Sequence, residues 1–146
     1  MRDLCSIGSR TRICAVIGNP LGHSLSPAIH NAAFDACGLD VIYLALQVEH
    51  AESAVRCLRE IDQFKGLSVT IPHKVGIMAL VDDVAQIDRR IGAINTVVKE
   101  EERLVGFGTD GPGALKALND ASVDTAGKRV LMVGAGGAAR AIAFTP

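Results

Sequence analysis

At 146 residues the chain has room for one well-buried domain of ordinary size, and not for two complete α/β domains. Hydrophobic residues make up 49% of it and charged residues 21%, which excludes the apolar-poor, highly charged composition of a disordered chain. A formal net charge of −1, from 15 Lys+Arg against 16 Asp+Glu, offers no basic field for a phosphate backbone, so no nucleic-acid partner is expected.

The most apolar stretch, Val130 to Phe144, is shorter than a membrane span and is broken by three glycines and Arg140. The N-terminus has no signal-peptide apolar core, so the expectation is a cytoplasmic protein with no membrane partner. Cys5, Cys14, Cys37 and Cys57 form no C-x-x-C pair, and buried or inert thiols are the default reading. His23, His30 and His50 show no ligand spacing, so no metal is assigned.

Strand and helix signals alternate along the chain, the pattern of a mostly parallel sheet with helices on both faces. Ile13 to Gly18 reads as a buried strand running into a turn at Asn19-Pro20. Ser26 as cap and Pro27 at the first helical position predict a helix over Ala28 to Cys37, stopped by Gly38. Val41 to Val48 reads as a second strand. Glu52 to Glu60 reads as a helix, with Ala54, Val55, Leu58 and Ile61 on its apolar face. Gly66 to Thr70 gives a third strand, and Pro72 ends it and favours a helix beginning there.

Ile77 to Val81 and Val84 to Ile91 read as short helices separated by Asp82-Asp83. Thr96 to Lys99 and Leu104 to Phe107 flank four charged residues as an antiparallel hairpin. A helix opens at Gly111-Pro112 and runs to about Leu118, and a polar connection follows. Arg129 to Val133 then reads as a strand entering a glycine-rich turn.

That turn, Gly134-Ala135-Gly136-Gly137-Ala138-Ala139, fits the dinucleotide pattern G-x-G-x-x-A. The first glycine turns the chain sharply and the second lets a pyrophosphate reach the helix N-terminus. The residue that reads the ribose belongs about twenty residues further on. The chain stops at Pro146, so NAD and NADP are not distinguished by its own residues.

Four polar clusters fall at strand ends, where a doubly wound sheet places its ligand crevice: Ser24-Leu25-Ser26, Thr70 with Lys74, Asn95-Thr96, and Thr109-Asp110-Gly111. Hydroxyls, an amide, a cation and a carboxylate suit a small polyhydroxylated acid. Each cluster also has a plain structural reading. Ser26 reads as a helix cap, Lys74 as a solvated lysine at a helix start, Asp110 as an N-cap, and His73 as structural or exposed.

Val16-Ile17-Gly18-Asn19-Pro20-Leu21-Gly22-His23-Ser24-Leu25-Ser26-Pro27 closely resembles the opening motif of the shikimate dehydrogenase family. Lys65 to Lys74, Ile91 to Thr96, Gly108 to Gly111 and the turn from Gly134 to Arg140 resemble four further motifs, in the same order. The resemblance implies an amino-acid-dehydrogenase-like N-terminal domain and reversible NADPH-dependent reduction of 3-dehydroshikimate to shikimate, in aromatic amino-acid biosynthesis. It implies that Ser24 and Ser26 bind the substrate carboxylate, Thr70 a neighbouring polar group and Asn95 a ring hydroxyl. Lys74 and Asp110 would be the catalytic pair, and both would also touch substrate. Gly134, Ala135, Gly136, Gly137, Ala138 and Ala139 would hold NADP, no metal is implied, and a homodimer is left open.

On this basis residues 1–119 are expected to form a substrate-binding and catalytic domain, 120–128 a linker, and 129–146 the truncated start of an NADP-binding Rossmann domain. The chain by itself is expected to have little or no activity. Ser68 and Gly108 stand where the family's motifs more often have Asn. Arg2-Asp3-Leu4 faintly resembles the linker seen where such an enzyme is fused behind a dehydroquinate dehydratase. A dual-specificity quinate/shikimate dehydrogenase and a non-catalytic sugar-acid-binding module are the alternatives.

Overall fold

A computed structural model describes residues 7–145; Cys5 and Arg2-Asp3-Leu4 lie outside the described residues. Six strands form one sheet: β1 (Arg12–Gly18), β2 (Val41–Gln47), β3 (Phe64–Val69), β4 (Asp83–Val84), β5 (Thr96–Glu100) and β6 (Arg103–Phe107). Their spatial order is β2-β1-β3-β5-β6-β4. β1 pairs in parallel with β2 and β3, and β4 in parallel with β6, while β5 runs antiparallel to both β3 and β6. The helices are α1 (Ser26–Ala36), α2 (Ala51–Glu60), α3 (Gln86–Ile91), α4 (Asp110–Asp120) and α5 (Gly137–Phe144), with a 3-10 turn over Gly76–Leu80.

Side chains alternate across a strand, so one sheet presents two apolar faces to two sets of helices. Ala15, Ile17, Leu67 and Val69 point to the face covered by Ala54, Val55 and Leu58 of α2, all in one buried cluster. Val16 and Tyr43, with Cys14, point the other way and meet Phe34 of α1. Leu58 is fully buried, so its truncation to Ala costs about 2–5 kcal/mol. Ile61, read from the sequence as part of that apolar face, instead lies just past the helix and is exposed.

Arg59 in the last turn of α2 reaches Asp82 with two nitrogens, each at 2.9 Å, and Asp82 also accepts the Leu104 backbone N–H at 2.7 Å. One carboxylate thus ties α2 to β6. The charged hairpin pairs Glu100 with Arg103 and turns through Glu101, whose φ of 54° lies in the left-handed region.

Several sequence expectations are corrected. Leu25, not Ser26, occupies the cap position of α1 and no side-chain cap bond is made there; the Ser26 N–H goes to Ser24 Oγ at 3.4 Å. No α-helix begins at Pro72. The Lys74 carbonyl is taken by Ile94 N at 2.9 Å, a tertiary bond that replaces the bond a helix would make four residues on. The Ile77 to Val81 helix is a 3-10 turn; Asp83, read as part of the break between two helices, and Val84, read as the start of the second, pair with β6 instead, and α3 begins only at Gln86. Arg129 to Val133 is in no strand: none of the described residues pairs with it, and Leu131 and Val133 are about nine-tenths exposed (90% and 91%). Strand propensity has no ladder to act on there. Cys37 and Cys57 are exposed free thiols, while burial pushes the half-buried Cys14 thiol upward.

Candidate active site

The strand directions gather the four polar clusters. β1 and β3 are parallel, so Gly18 and Val69 end at the same edge of the sheet. β5 runs against β3 and begins at that edge, and β6 runs against β5 and ends there. The loops after β1, β3 and β6 and the residue before β5 therefore meet on one rim, where ligands of open α/β sheets bind.

The loops after β1 and β3 are stitched together by Asn19 N donating to Ile71 O at 2.8 Å and Thr70 N to Ile17 O at 2.9 Å. Their approach leaves no room for a side chain at Gly18. A Cβ there would strike Thr70 Cγ2 and stand 3.0 Å from Ile71 O and Leu21 Cδ2. Ser24, Ser26 and Thr70 thereby line one pocket of about 270 Å³, together with Val16, Leu21 and His23. Its hydroxyls can donate to an anion, and His23 is a wall residue to which sequence reasoning gave no role.

Lys74, Asn95 and Asp110 form a second group. Lys74 Nζ donates to Asp110 Oδ2 at 2.5 Å, with the two side chains 15% and 23% exposed. Asn95 Nδ2 donates to Asp110 Oδ1 at 2.9 Å and to Thr109 Oγ1 at 2.8 Å, and Asn95 Oδ1 accepts Thr109 N at 2.8 Å. Thr109 is the cap residue of α4, so Asp110 is not an N-cap. Its carboxylate is spent on Lys74 and Asn95. The solvated-lysine reading of Lys74 fails for the same reason. His73 is structural: it is buried, with Nε2 2.9 Å from Val48 O.

The glycine-rich turn leaves an open helix start. Gly134 has φ +110°, and the space beside Gly136 is open. Gly136 caps α5, and among the described residues no side chain caps its first N–H groups and no acid lies in its first turn. Those N–H groups remain to receive an anion. Elsewhere, an apolar cavity of about 420 Å³ between α4 and α5 is lined by Leu115, Leu118, Val130, Met132 and Ile142 among others. None of its lining residues is charged.

Residues 16–97 match the family model described as the shikimate dehydrogenase substrate binding domain. The chain belongs to this family. A curated relative, the shikimate dehydrogenase (NADP(+)) of Moorella thermoacetica, is 45% identical over 143 residues, 97% of this chain and 48% of the relative. The chain spans about half the length of the curated relatives it matches. The shikimate 5-dehydrogenase of Thermus thermophilus in complex with shikimate superposes with a TM-score of 0.85 at 41% identity, covering 92% of this chain and 51% of that one. The same enzyme in complex with NADP(H) and shikimate gives 0.84 at 40%, with the same coverage. The ligand-free 5-ketofructose reductase of Gluconobacter sp. strain CHM43 gives 0.80 at 36%, covering 94% and 50%.

Ser68 and Gly108, read from the sequence as departures from Asn, each meet a specific neighbour. Ser68 of β3 accepts the Tyr43 hydroxyl of β2 at 2.6 Å, a bond that spans the intervening strand β1. At Gly108 a Cβ would collide with the carboxylate of the buried Asp88. No helix among the described residues is long and apolar enough to cross a membrane.

Proposed function

We propose that this chain supplies the substrate-binding and proton-transferring half of a shikimate dehydrogenase, which interconverts 3-dehydroshikimate and shikimate with NADP(H). The observation that carries this reading is the Lys74–Asp110 contact, with Asn95 bonded to the same carboxylate, on the rim that also holds Ser24, Ser26 and Thr70.

Ser24, Ser26 and Thr70 hold the substrate carboxylate and its neighbourhood by hydroxyl donation, and Asn95 and Asp110 hold ring hydroxyls. Lys74 gives a proton from Nζ to the carbonyl oxygen during reduction and takes one from the hydroxyl during oxidation. Asp110 keeps the Lys74 amine on one line of approach and compensates its charge in a largely dry setting. Gly134 to Ala139 hold the pyrophosphate of the nucleotide, which supplies the hydride when bound. Residues 1–119 act as the substrate domain, 120–128 as the connection and 129–146 as the opening of the nucleotide domain. The same reading assigns a cytoplasmic setting and a small-molecule partner.

The test joins this chain to the nucleotide-binding half of the Moorella thermoacetica relative and assays NADP-dependent oxidation of shikimate, quinate and the reduced form of 5-ketofructose, with NAD in parallel. Preference for shikimate with NADP, lost in Lys74→Ala, is the expected result. Turnover that prefers quinate or NAD replaces the proposed specificity. Shikimate binding without turnover on any substrate leaves a binding module in place of the enzyme.

A further inference from the structure

We infer that Gly137 is a positioning residue for the Lys74 side chain, so that the glycine-rich turn sets the seat of the proton-transferring lysine as well as the nucleotide. The inference rests on the proposed role of Lys74. The dinucleotide pattern G-x-G-x-x-A accounts for Gly134, Gly136 and Ala139 but leaves position 137 free, since the residue after the second glycine is unconstrained. The packing at Gly137 supplies a different reason for a glycine. A Cβ there would stand 3.0 Å from Lys74 Cβ, 3.4 Å from Lys74 Cδ and 3.3 Å from Ala93 Cβ. By contrast, nothing lies within 4 Å of a Cβ at Gly134 or Gly136.

The lysine stem cannot retreat freely from such a contact. Its carbonyl is fixed by Ile94 N at 2.9 Å, and its amine is held by Asp110 Oδ2 at 2.5 Å. A methyl added at the start of α5 would therefore be caught between the Lys74 stem and the Ala93 methyl, while the Asp110 carboxylate holds the far end of the lysine. The same helix also presses beside the second member of the pair. A Cβ at Gly111, next to Asp110, would collide with Thr145 Oγ1 and stand 2.8 Å from Ala141 O. One short helix thus bears on Lys74 through its first residue and, through its last turn, on the residue following Asp110. Any shift of α5 when the glycine-rich turn takes up an anion would be felt at the ion pair.

The test uses the 146-residue chain itself and reads where the amine sits. Each lysine is acetylated with an N-hydroxysuccinimide ester and its rate is followed by mass spectrometry, in the parent, Gly137→Ala, Gly136→Ala and the double variant Gly137→Ala/Ala93→Gly. The expectation is that Lys74 reacts at least about threefold faster in Gly137→Ala, the scale of a modest coupling between neighbours. Lys65 and Lys99 keep their rates, and Gly136→Ala matches the parent. Removing the Ala93 methyl makes room on one side, so the double variant returns toward the parent rate.

An unchanged Lys74 rate in Gly137→Ala overturns the inference, as does a rise shared by Lys65 and Lys99, which reports general loosening. A double variant no nearer the parent than Gly137→Ala also overturns it. Because labelling needs no turnover, this outcome is separate from that of the shikimate assay.

Discussion

Asn31 of α1 pairs with Tyr43 of β2 through both backbone groups of the strand residue: Nδ2 donates to Tyr43 O at 2.9 Å, and Oδ1 accepts Tyr43 N at 2.8 Å. β2 is an edge strand, so these groups have no further strand to pair with. The side chain of a helix thus stands in for part of a ladder, and His30, its neighbour, stacks on the Tyr43 ring at 4.3 Å. Replacing Asn31 by Ala leaves both groups unpaired and is expected to cost about 1–3 kcal/mol. Urea unfolding should show a lower midpoint with an unchanged slope. A loss below about 0.5 kcal/mol, the level of ordinary surface changes, contradicts this account.

The Arg59 guanidinium, helped by the Leu104 N–H, holds the Asp82 carboxyl below its ordinary value of 3.8. The unfolded chain therefore takes up that proton first. The stabilisation is present above the unfolded value and is lost as pH falls through the lower folded one. Asp83 behaves in the same way beside Arg89. Thermal midpoints recorded between about pH 6 and pH 2 should fall less steeply for Asp82→Asn than for the parent. Parallel acid limbs would show that the Arg59 contact contributes nothing.

Gly108→Asn, the residue suggested by the motif resemblance, should destabilise this chain. The new Cβ meets the carboxylate of Asp88, a buried residue of α3, and overpacking of this kind costs about 1–3 kcal/mol. In a double-mutant cycle with Asp88→Ala the penalty should shrink, since the colliding group is gone. Additive losses would place the conflict elsewhere.

If the Ser24–Ser26–Thr70 pocket takes the substrate carboxylate, Ser24→Ala should weaken shikimate binding by about tenfold, the lower end for a hydrogen bond to a charged group. NMR titration of the chain measures it. Ser24 Oγ accepts the Ser26 N–H at a long 3.4 Å, which leaves its own proton available to donate. Equal affinity in parent and variant removes Ser24 from the site.

Much of the sheet was legible because its signals are local. Ile13 to Gly18 is a short apolar run ending in glycine, and Ala54, Val55 and Leu58 fall at helical spacing, so a buried strand and a helix with one apolar face could be read from the sequence. What escaped depends on distant partners. The 3-10 turn after Pro72 follows from Ile94 claiming the Lys74 carbonyl, and β4 is two residues long and exists only through Val105 and Gly106. The failure of Arg129 to Val133 to form a strand has the same origin. At the site, the motifs identified Lys74, Asn95 and Asp110, but spacing could not say that the amide of Asn95 and the amine of Lys74 share one carboxylate. Nor could it reveal the Tyr43–Ser68 bond, whose partners are 25 residues apart.

Asn95 arrives at its task with its bonds already made: both N–H groups are given to Thr109 and Asp110, and its oxygen receives Thr109 N. A substrate hydroxyl that accepts from the Asn95 amide must take the place of Thr109 or Asp110. A molecule lacking that hydroxyl leaves no orphan behind, because the loop keeps its own bond. Sites that reject deoxy analogues strongly do so by stranding a buried polar group. If the rim takes a cyclic polyol as proposed, this corner of it is forgiving by construction, and discrimination among such molecules comes from the other hydroxyls they present.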